Sequence, residues 1–224
     1  MEIKVLHILP NFGPGGAERM AVHLMRHLNR DRFAVGAVSL FDPAGTDLER
    51  MLAESGIPVW YLGKKLGFDP RMFGRLRRVL RQFYPHIVHT HLSVLRYALV
   101  EVLTRRAKVW VHTVHTLAEK EVDRVGRLVH RIAFRCGVVP VAIAGEVAAS
   151  MARVYGIRNP RLIPNGIPVE IYASARGMRH TWRQKAGFGA EDVVLVAVGR
   201  LSPPKNHSLL LRAFGICARQ DGRL

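Results

Sequence analysis

Short apolar runs alternate along the chain with stretches in which apolar residues recur every three or four positions. The runs IKVLHIL (3–9), AVGAVSL (34–40), IPVWYL (57–62), HIVHT (86–90), KVWVHT (108–113), VVPVAI (138–143), RLIP (161–164) and VVLVAV (193–198) predict strands. Between them, Ala17, Met20, Leu24 and Leu28 follow one face of a helix over 17–28. Thr46 and Glu49 predict a capping box, and Asp69-Pro70 predicts an N-cap followed by proline at the first helical position. Near-continuous apolar strands separated by helices predict an α/β chain with a doubly wound parallel sheet covered on both faces. No internal repeat or low-complexity segment interrupts the alternation.

The rhythm changes after residue 164. PNGIPVEIYASARGM is rich in proline and glycine and reads as a linker. A short helix (about 179–186), the strand 193–198 and a helix from about 206 to 219 are expected beyond it. One strand and two helices cannot complete a sheet-based core, so a second domain is expected only as its beginning. The expected organisation is a domain over 1–164, a linker with a short helix over 165–190, and the start of another domain over 191–224.

Composition narrows the compartment. With 49% hydrophobic residues in 224, the chain can bury a substantial core. No apolar run approaches the roughly 18 residues of a membrane span, and MEIKVLHILP reads as a buried strand rather than a signal peptide. Cys136 and Cys217 stand far apart without metal-ligand spacing, so a reduced, cytoplasmic setting is expected. The net charge of +17 implies an anionic partner or surface.

In doubly wound sheets, ligands bind outside the carboxyl ends of the strands. The first such loop, PNFGPGGAER, holds three glycines before a helix start, where backbone N–H groups can approach an anion. It is not a dinucleotide fingerprint, because Glu18 stands where a last glycine belongs after Gly13 and Gly15. A plain strand-to-helix turn reads equally well. Next come His89 and His91 in VHTH, then His112 and His115 in VHTVHT. H-x-H and H-x-x-H can hold a metal, yet no Asp, Glu or Cys sits beside them as a third ligand, so hydrogen bonding to a sugar or phosphate is the expected role. His112 also reads as a satisfied mid-strand histidine. Asn165-Gly166 predicts a turn tolerant of positive φ. In GRLSPPKN, Gly199 permits close approach, Arg200 and Lys205 can present two cations to a diphosphate, and Asn206 is a plausible N-cap.

Taken together, GPGGAER, PHIVHTHL, HTVHT, IPNGI and VGRLSPPKN, in this order and spacing, resemble family 4 glycosyltransferases of the GT-B fold. The resemblance runs along essentially the whole chain. It implies two facing Rossmann-like domains, the first binding acceptor and the second a nucleotide sugar. By resemblance, Gly15 and Gly16 lie against the donor diphosphate or acceptor, with Glu18, His89, His91, Asn165, Gly166 and Gly199 among the donor- or acceptor-binding residues. His115 contacts the donor sugar near the reacting carbon, while Arg200 and Lys205 hold the diphosphate and stabilise leaving-group charge. The implied reaction transfers a sugar from a UDP-sugar, or a GDP-sugar next, to a glycan or lipid-linked acceptor with retention. No metal or cofactor is expected, and the implied setting is cell-envelope polysaccharide synthesis. Two departures stand out. Ala144 replaces a common serine, and the family's E-x7-E pair falls beyond Leu224, so that a non-catalytic acceptor- or membrane-binding remnant is the alternative.

Charge adds one more expectation. Arg71, Arg75, Arg77, Arg78 and Arg81 lie on one helix, and Arg124, Arg127, Arg131 and Arg135 line one face of another. Each basic residue near an anionic bilayer adds roughly 1 kcal/mol of attraction, so either face can dock on a cytoplasmic leaflet; a solvated arginine surface reads equally well. Nucleic acid is not an expected partner, because exposed aromatics do not interleave the arginines.

Overall fold

The computed structural model describes residues 2–220. Two compact units divide the chain, Met1–Ile167 and Pro168–Leu224, and each is described by itself. In the first, seven strands form one sheet: β1 (Ile3–Leu9), β2 (Phe33–Ser39), β3 (Val59–Tyr61), β4 (Ile87–His91), β5 (Val109–Val114), β6 (Val139–Ala142) and β7 (Arg161–Leu162). All neighbours are parallel, in the order β3-β2-β1-β4-β5-β6-β7. The order reverses at β1, which pairs with β2 on one side and β4 on the other. Doubly wound sheets open a ligand crevice at such a reversal, outside the carboxyl ends.

Helices α1 (Gly16–His27), α2 (Asp47–Glu54), α3 (Arg71–Phe83), α4 (Leu95–Leu103), α5 (Ala118–Glu121), α6 (Arg124–Arg135) and α7 (Gly145–Tyr155) cover the sheet. Alternate strand residues face opposite layers. Leu6, Ile8 and Val88 meet Met72, Leu76 and Leu80 of α3, Leu95 and Ala98 of α4, and Ala133 of α6. The opposite face meets α1 and α2, and a third cluster forms near β5 and β6 on the α6 side. Leu9, Val35 and Ala37 meet Ala21, Val22 and Met25 of α1 with Leu48 and Leu52 of α2, while Val114 and Ala142 meet Val147 and Met151 of α7. Leu76 is fully buried, so truncating it to alanine costs about 2–5 kcal/mol. Gly36 lets β2 pack close: a Cβ there would stand 2.8 Å from the Trp60 ring.

Local signals set the helix ends. The capping box forms as expected, with Thr46 Oγ1 accepting from the Glu49 N–H at 3.2 Å and the Glu49 carboxylate accepting from the Thr46 N–H at 3.0 Å. At α3 the regular helix begins one residue later than expected: Pro70 is the cap, and the Asp69 carboxylate accepts from the Arg71 N–H at 3.2 Å.

The second unit holds α8 (Val169–Ser174), a 3-10 turn (Ala175–Met178), α9 (Arg179–Lys185), a 3-10 turn (Pro203–Lys205) and α10 (His207–Ala218). The stretch read as a linker thus carries helical turns. Asn206 caps α10, its side chain accepting from the Leu209 N–H at 3.3 Å. The expected strand over 193–198 does not form. A strand exists through hydrogen bonds to a neighbour, and among the described residues of this unit there is no other strand for it to join. Val196 and Val198 stand exposed.

Candidate functional site

Three central strands deliver histidines to the carboxyl end of the sheet, at its reversal. His7 of β1 lies beside His89 of β4, and His91 lies beside Thr113 of β5, so all four point to one face. His115 follows immediately after β5. Their rings touch in sequence: His7 to His89 at 4.9 Å, His89 to His91 at 4.2 Å and His91 to His115 at 5.3 Å between centroids. Sequence reasoning placed His89, His91 and His115 here and missed His7, which looks like one polar residue inside an apolar strand.

Hydrogen bonds join these rings into a chain. His7 Nδ1 lies 3.2 Å from His91 Nε2, and His91 Nδ1 lies 3.0 Å from His115 Nε2. His89 stands aside, its Nε2 bonded to Thr113 Oγ1 at 2.8 Å. Burial strips water from the imidazoles and disfavours their charged forms: His7 is pushed down to about 3, His115 to about 4, and His89 and His91 well below the usual histidine value. At neutral pH each ring is therefore neutral and carries a single N–H. The chain then has two self-consistent states. If His7 donates to His91, His91 donates to His115, and His115 Nδ1 carries a proton. Reversed, His115 donates to His91 and its Nδ1 is an acceptor. His115 Nδ1 is buried and meets no partner among the described residues, so this atom is the chain's open terminal. Once uncovered, it can offer a ligand hydroxyl either a donor or an acceptor, in register with His7 at the far end.

A second cluster occupies the opposite face of the same strands. His112 lies beside Thr90 in the β4–β5 ladder and packs against His130 of α6, with 4.7 Å between ring centroids. Glu121, at the end of α5, comes within 3.9 Å of His112 Nε2 and 3.8 Å of His130 Nδ1. The Tyr155 hydroxyl is 3.3 Å from His130 Nδ1. Burial raises Glu121 to about 8, the nearby His115 amide pulling the other way, and lowers His130 to about 4. The sequence reading held that no acidic residue accompanies these histidines. The turn after His115 corrects this, because it folds Glu121 back beneath β5. His112 is indeed buried, as one of its two readings had it.

The remaining expected residues fall in three places. Gly15 caps α1 without a side chain, and the Glu18 carboxylate folds over it: a Cβ on Gly15 would stand 2.0 Å from Glu18 Oε2. The carboxylate thus occupies the helix end that an anion would use, and an incoming phosphate must displace it. Gly16 is exposed and open on its Cβ side. Asn165 and Gly166 lie exposed beyond β7, and neither takes the positive φ expected of them. In the second unit, the Lys205 side chain lies against Gly199, the Arg200 carbonyl meets His207 Nε2 at 3.1 Å, and Arg200 and Lys205 are exposed just before α10.

Several of the arginines on the expected docking faces make contacts within the fold. On α3, Arg71 pairs with Asp69, Arg77 with buried Glu101 at 2.7 Å, and Arg75 donates to the Leu62 and Gly63 carbonyls. On α6, Arg127 and Arg131 donate to the carbonyls of Glu119 and Val154. Arg78, Arg81, Arg124 and Arg135 stay exposed. Ala144 caps α7 with no side-chain hydrogen bond, the consequence of lacking serine there. Among the described residues, no helix is long and apolar enough to cross a membrane.

Comparison with known proteins places this geometry. EpsF of Bacillus subtilis (strain 168), named as a glycosyltransferase, is 26% identical over 223 residues, covering 93% of this chain and 57% of its own length. Among solved structures, a glycosyltransferase from Rickettsia africae superposes with a TM-score of 0.78 at 15% identity, over 98% of this chain and 59% of that one. Anabaena HepE, crystallised with UDP and glucose, gives 0.75 at 18% identity, over 95% of this chain and 57% of its own. At these identities the structural likeness carries the fold. The chain spans somewhat more than half the length of these relatives. The Glycosyltransferase Family 4 model matches residues 14–171, the segment that carries His89, His91 and His115, and the chain belongs to that family.

Proposed function

We propose that this chain takes part in moving a sugar from a nucleoside-diphosphate donor to a glycan or lipid-linked acceptor, with retention at the anomeric carbon. The observation that carries the reading is the coupled imidazole chain ending at His115 Nδ1, at the sheet reversal, with His91 and His115 inside the family-matched segment. A neutral imidazole at about the pH of the cell can hold a sugar hydroxyl without adding charge beside a reacting centre. In the second unit, Arg200 and Lys205 are the cations we assign to the diphosphate, which accumulates charge as the glycosidic C–O bond breaks. The acceptor oxygen bonds to the anomeric carbon on the face the diphosphate leaves, its hydroxyl proton passing to the departing diphosphate oxygen, and the chemistry asks for no metal there.

HepE's binding of UDP and glucose supports a UDP-sugar as the first donor to test, with a GDP-sugar next. We place the reaction at the cytoplasmic side of a cell-envelope synthesis pathway. Exposed Arg78, Arg81, Arg124 and Arg135 supply the charge for weak peripheral attraction to an anionic leaflet. The test is release of nucleoside diphosphate from a panel of UDP- and GDP-sugars offered with glycan and lipid-linked acceptors. Product anomers are read by proton NMR. Turnover that His115→Ala abolishes, with the donor's anomeric configuration kept, supports the reading. Binding of acceptor or anionic vesicles with no turnover of any donor favours the non-catalytic module.

A further inference from the structure

We propose that His112, Glu121 and His130 form a buried site for a divalent transition-metal ion of the zinc class, a structural ion behind the strand that carries His115. The inference does not rest on the transferase reading. It starts from hydrogen-bond accounting. His112 and His130 are each at most 1% exposed, and the Glu121 side chain is likewise 1% exposed. Yet His112 Nε2 and His130 Nε2 meet no hydrogen-bonding partner among the described residues, and the Glu121 carboxylate has only the His115 amide near it as a backbone donor, outside good hydrogen-bond geometry. His112 Nε2 and the Glu121 carboxylate oxygens, with His130 Nδ1 3.8 Å from one of those oxygens, meet in one interior pocket, and native proteins avoid leaving such buried atoms unsatisfied.

The tautomer of His112 sharpens the point. Thr90 Oγ1 donates its one proton to the Val111 carbonyl at 3.1 Å and so accepts from His112 Nδ1–H at 2.9 Å. The Nε2 lone pair is therefore left facing Glu121 Oε1 at 3.9 Å, beyond hydrogen-bonding reach. A direct hydrogen bond would need that gap to close by about 1 Å. Two ligands on a tetrahedral zinc, with bonds near 2.0–2.1 Å, stand roughly 3.4 Å apart, so an ion needs only about half that adjustment. One donor atom from each of the three residues already lies within 4.8 Å of the others. Two imidazoles and a carboxylate suit zinc or cobalt, and Thr90 supplies the outer hydrogen bond that orients a ligating histidine. The ion would tie α5 and α6 to β5, and so fix the turn that begins at His115. The expectation that the histidine loops hold no metal rested on a missing acidic neighbour, a position that Glu121 fills for His112.

Because the site is sealed, loading should accompany folding. The chain is unfolded in urea with chelator, refolded with Zn2+ or without it, dialysed, and assayed for bound metal and for its thermal midpoint. We expect about one Zn2+ per wild-type chain and a higher midpoint with zinc. Glu121→Gln and His130→Gln should each weaken retention at least about tenfold, while His89→Gln, in the other histidine cluster, should leave it unchanged. Co2+ refolded into the wild type should show the visible bands of tetrahedral coordination. Refolded wild-type chain holding less than a tenth of an equivalent overturns the proposal. So does retention that survives both Glu121→Gln and His130→Gln, or that disappears only with His89→Gln. Crystallographic water bridging His112 and Glu121 in zinc-refolded protein overturns it as well.

Discussion

Acidification should unfold this protein through its buried histidines, and His7 allows the effect to be isolated. In the folded chain His7 is pushed down to about 3 by burial, whereas an unfolded histidine titrates near 6.5. Its contribution is thus complete above pH 6.5 and is lost progressively as the pH falls toward about 3. By pH 5 the unfolded chain holds about one proton at this position and the folded chain almost none. Integrating between pH 7 and pH 5 gives a loss of about 2 kcal/mol from His7 alone. Other groups titrate in the same window, with Glu121 working in the opposite direction because its folded value is raised to about 8. The comparison that cancels them is wild type against His7→Asn, whose side-chain amide can keep the contact that His7 Nδ1 makes with His91 Nε2 at 3.2 Å. Urea unfolding followed by far-UV circular dichroism at both pH values gives the two differences. Wild type should lose about 2 kcal/mol more than the variant. Parallel losses, agreeing within about 0.5 kcal/mol, would refute the claim that His7 is held neutral by burial.

Three further outcomes are expected. Lys205→Ala should lower turnover of an active transferase by about a hundredfold or more, measured as nucleoside-diphosphate release; unchanged turnover removes Lys205 from the diphosphate site. Ala144→Ser should stabilise the chain by about 1 kcal/mol by capping α7, read as a raised urea midpoint, and no gain would show that the helix does not start there. Glu101, 1% exposed, is paired by Arg77 at 2.7 Å and Arg106 at 3.4 Å. Arg77→Ala or Arg106→Ala alone should cost about 1 kcal/mol, but the double variant about 3 or more, since it leaves a buried carboxylate unpaired; strict additivity would contradict this.

The sheet was legible because its strands are nearly continuous apolar runs, and a parallel strand buried on both faces needs little else. Caps at Thr46 and Asn206 were legible because they act within one turn of chain. Helix α4 was not: Leu95, Tyr97, Ala98, Glu101 and Val102 are all buried, so LRYALVEVL lacks a clear polar face. The strand expected over 193–198 failed for the opposite reason, since local apolarity cannot supply a hydrogen-bonding neighbour. At the site, paired histidines in short motifs drew the eye to β4 and β5. His7, Glu121 and His130 belong to no motif and meet the others only through sheet register and the fold of the turn after His115. Their roles are long-range facts that spacing along the chain does not encode.

The most direct test of the account labels the chain with 15N-histidine and follows imidazole signals as UDP-glucose is added. The account expects the His115 nitrogens to move first, with His91 and His7 shifting in step because their tautomers are coupled, and His130 on the opposite face staying still. Saturating donor that leaves His115 unmoved, or moves it without His91, would contradict the claim that this histidine chain receives the sugar.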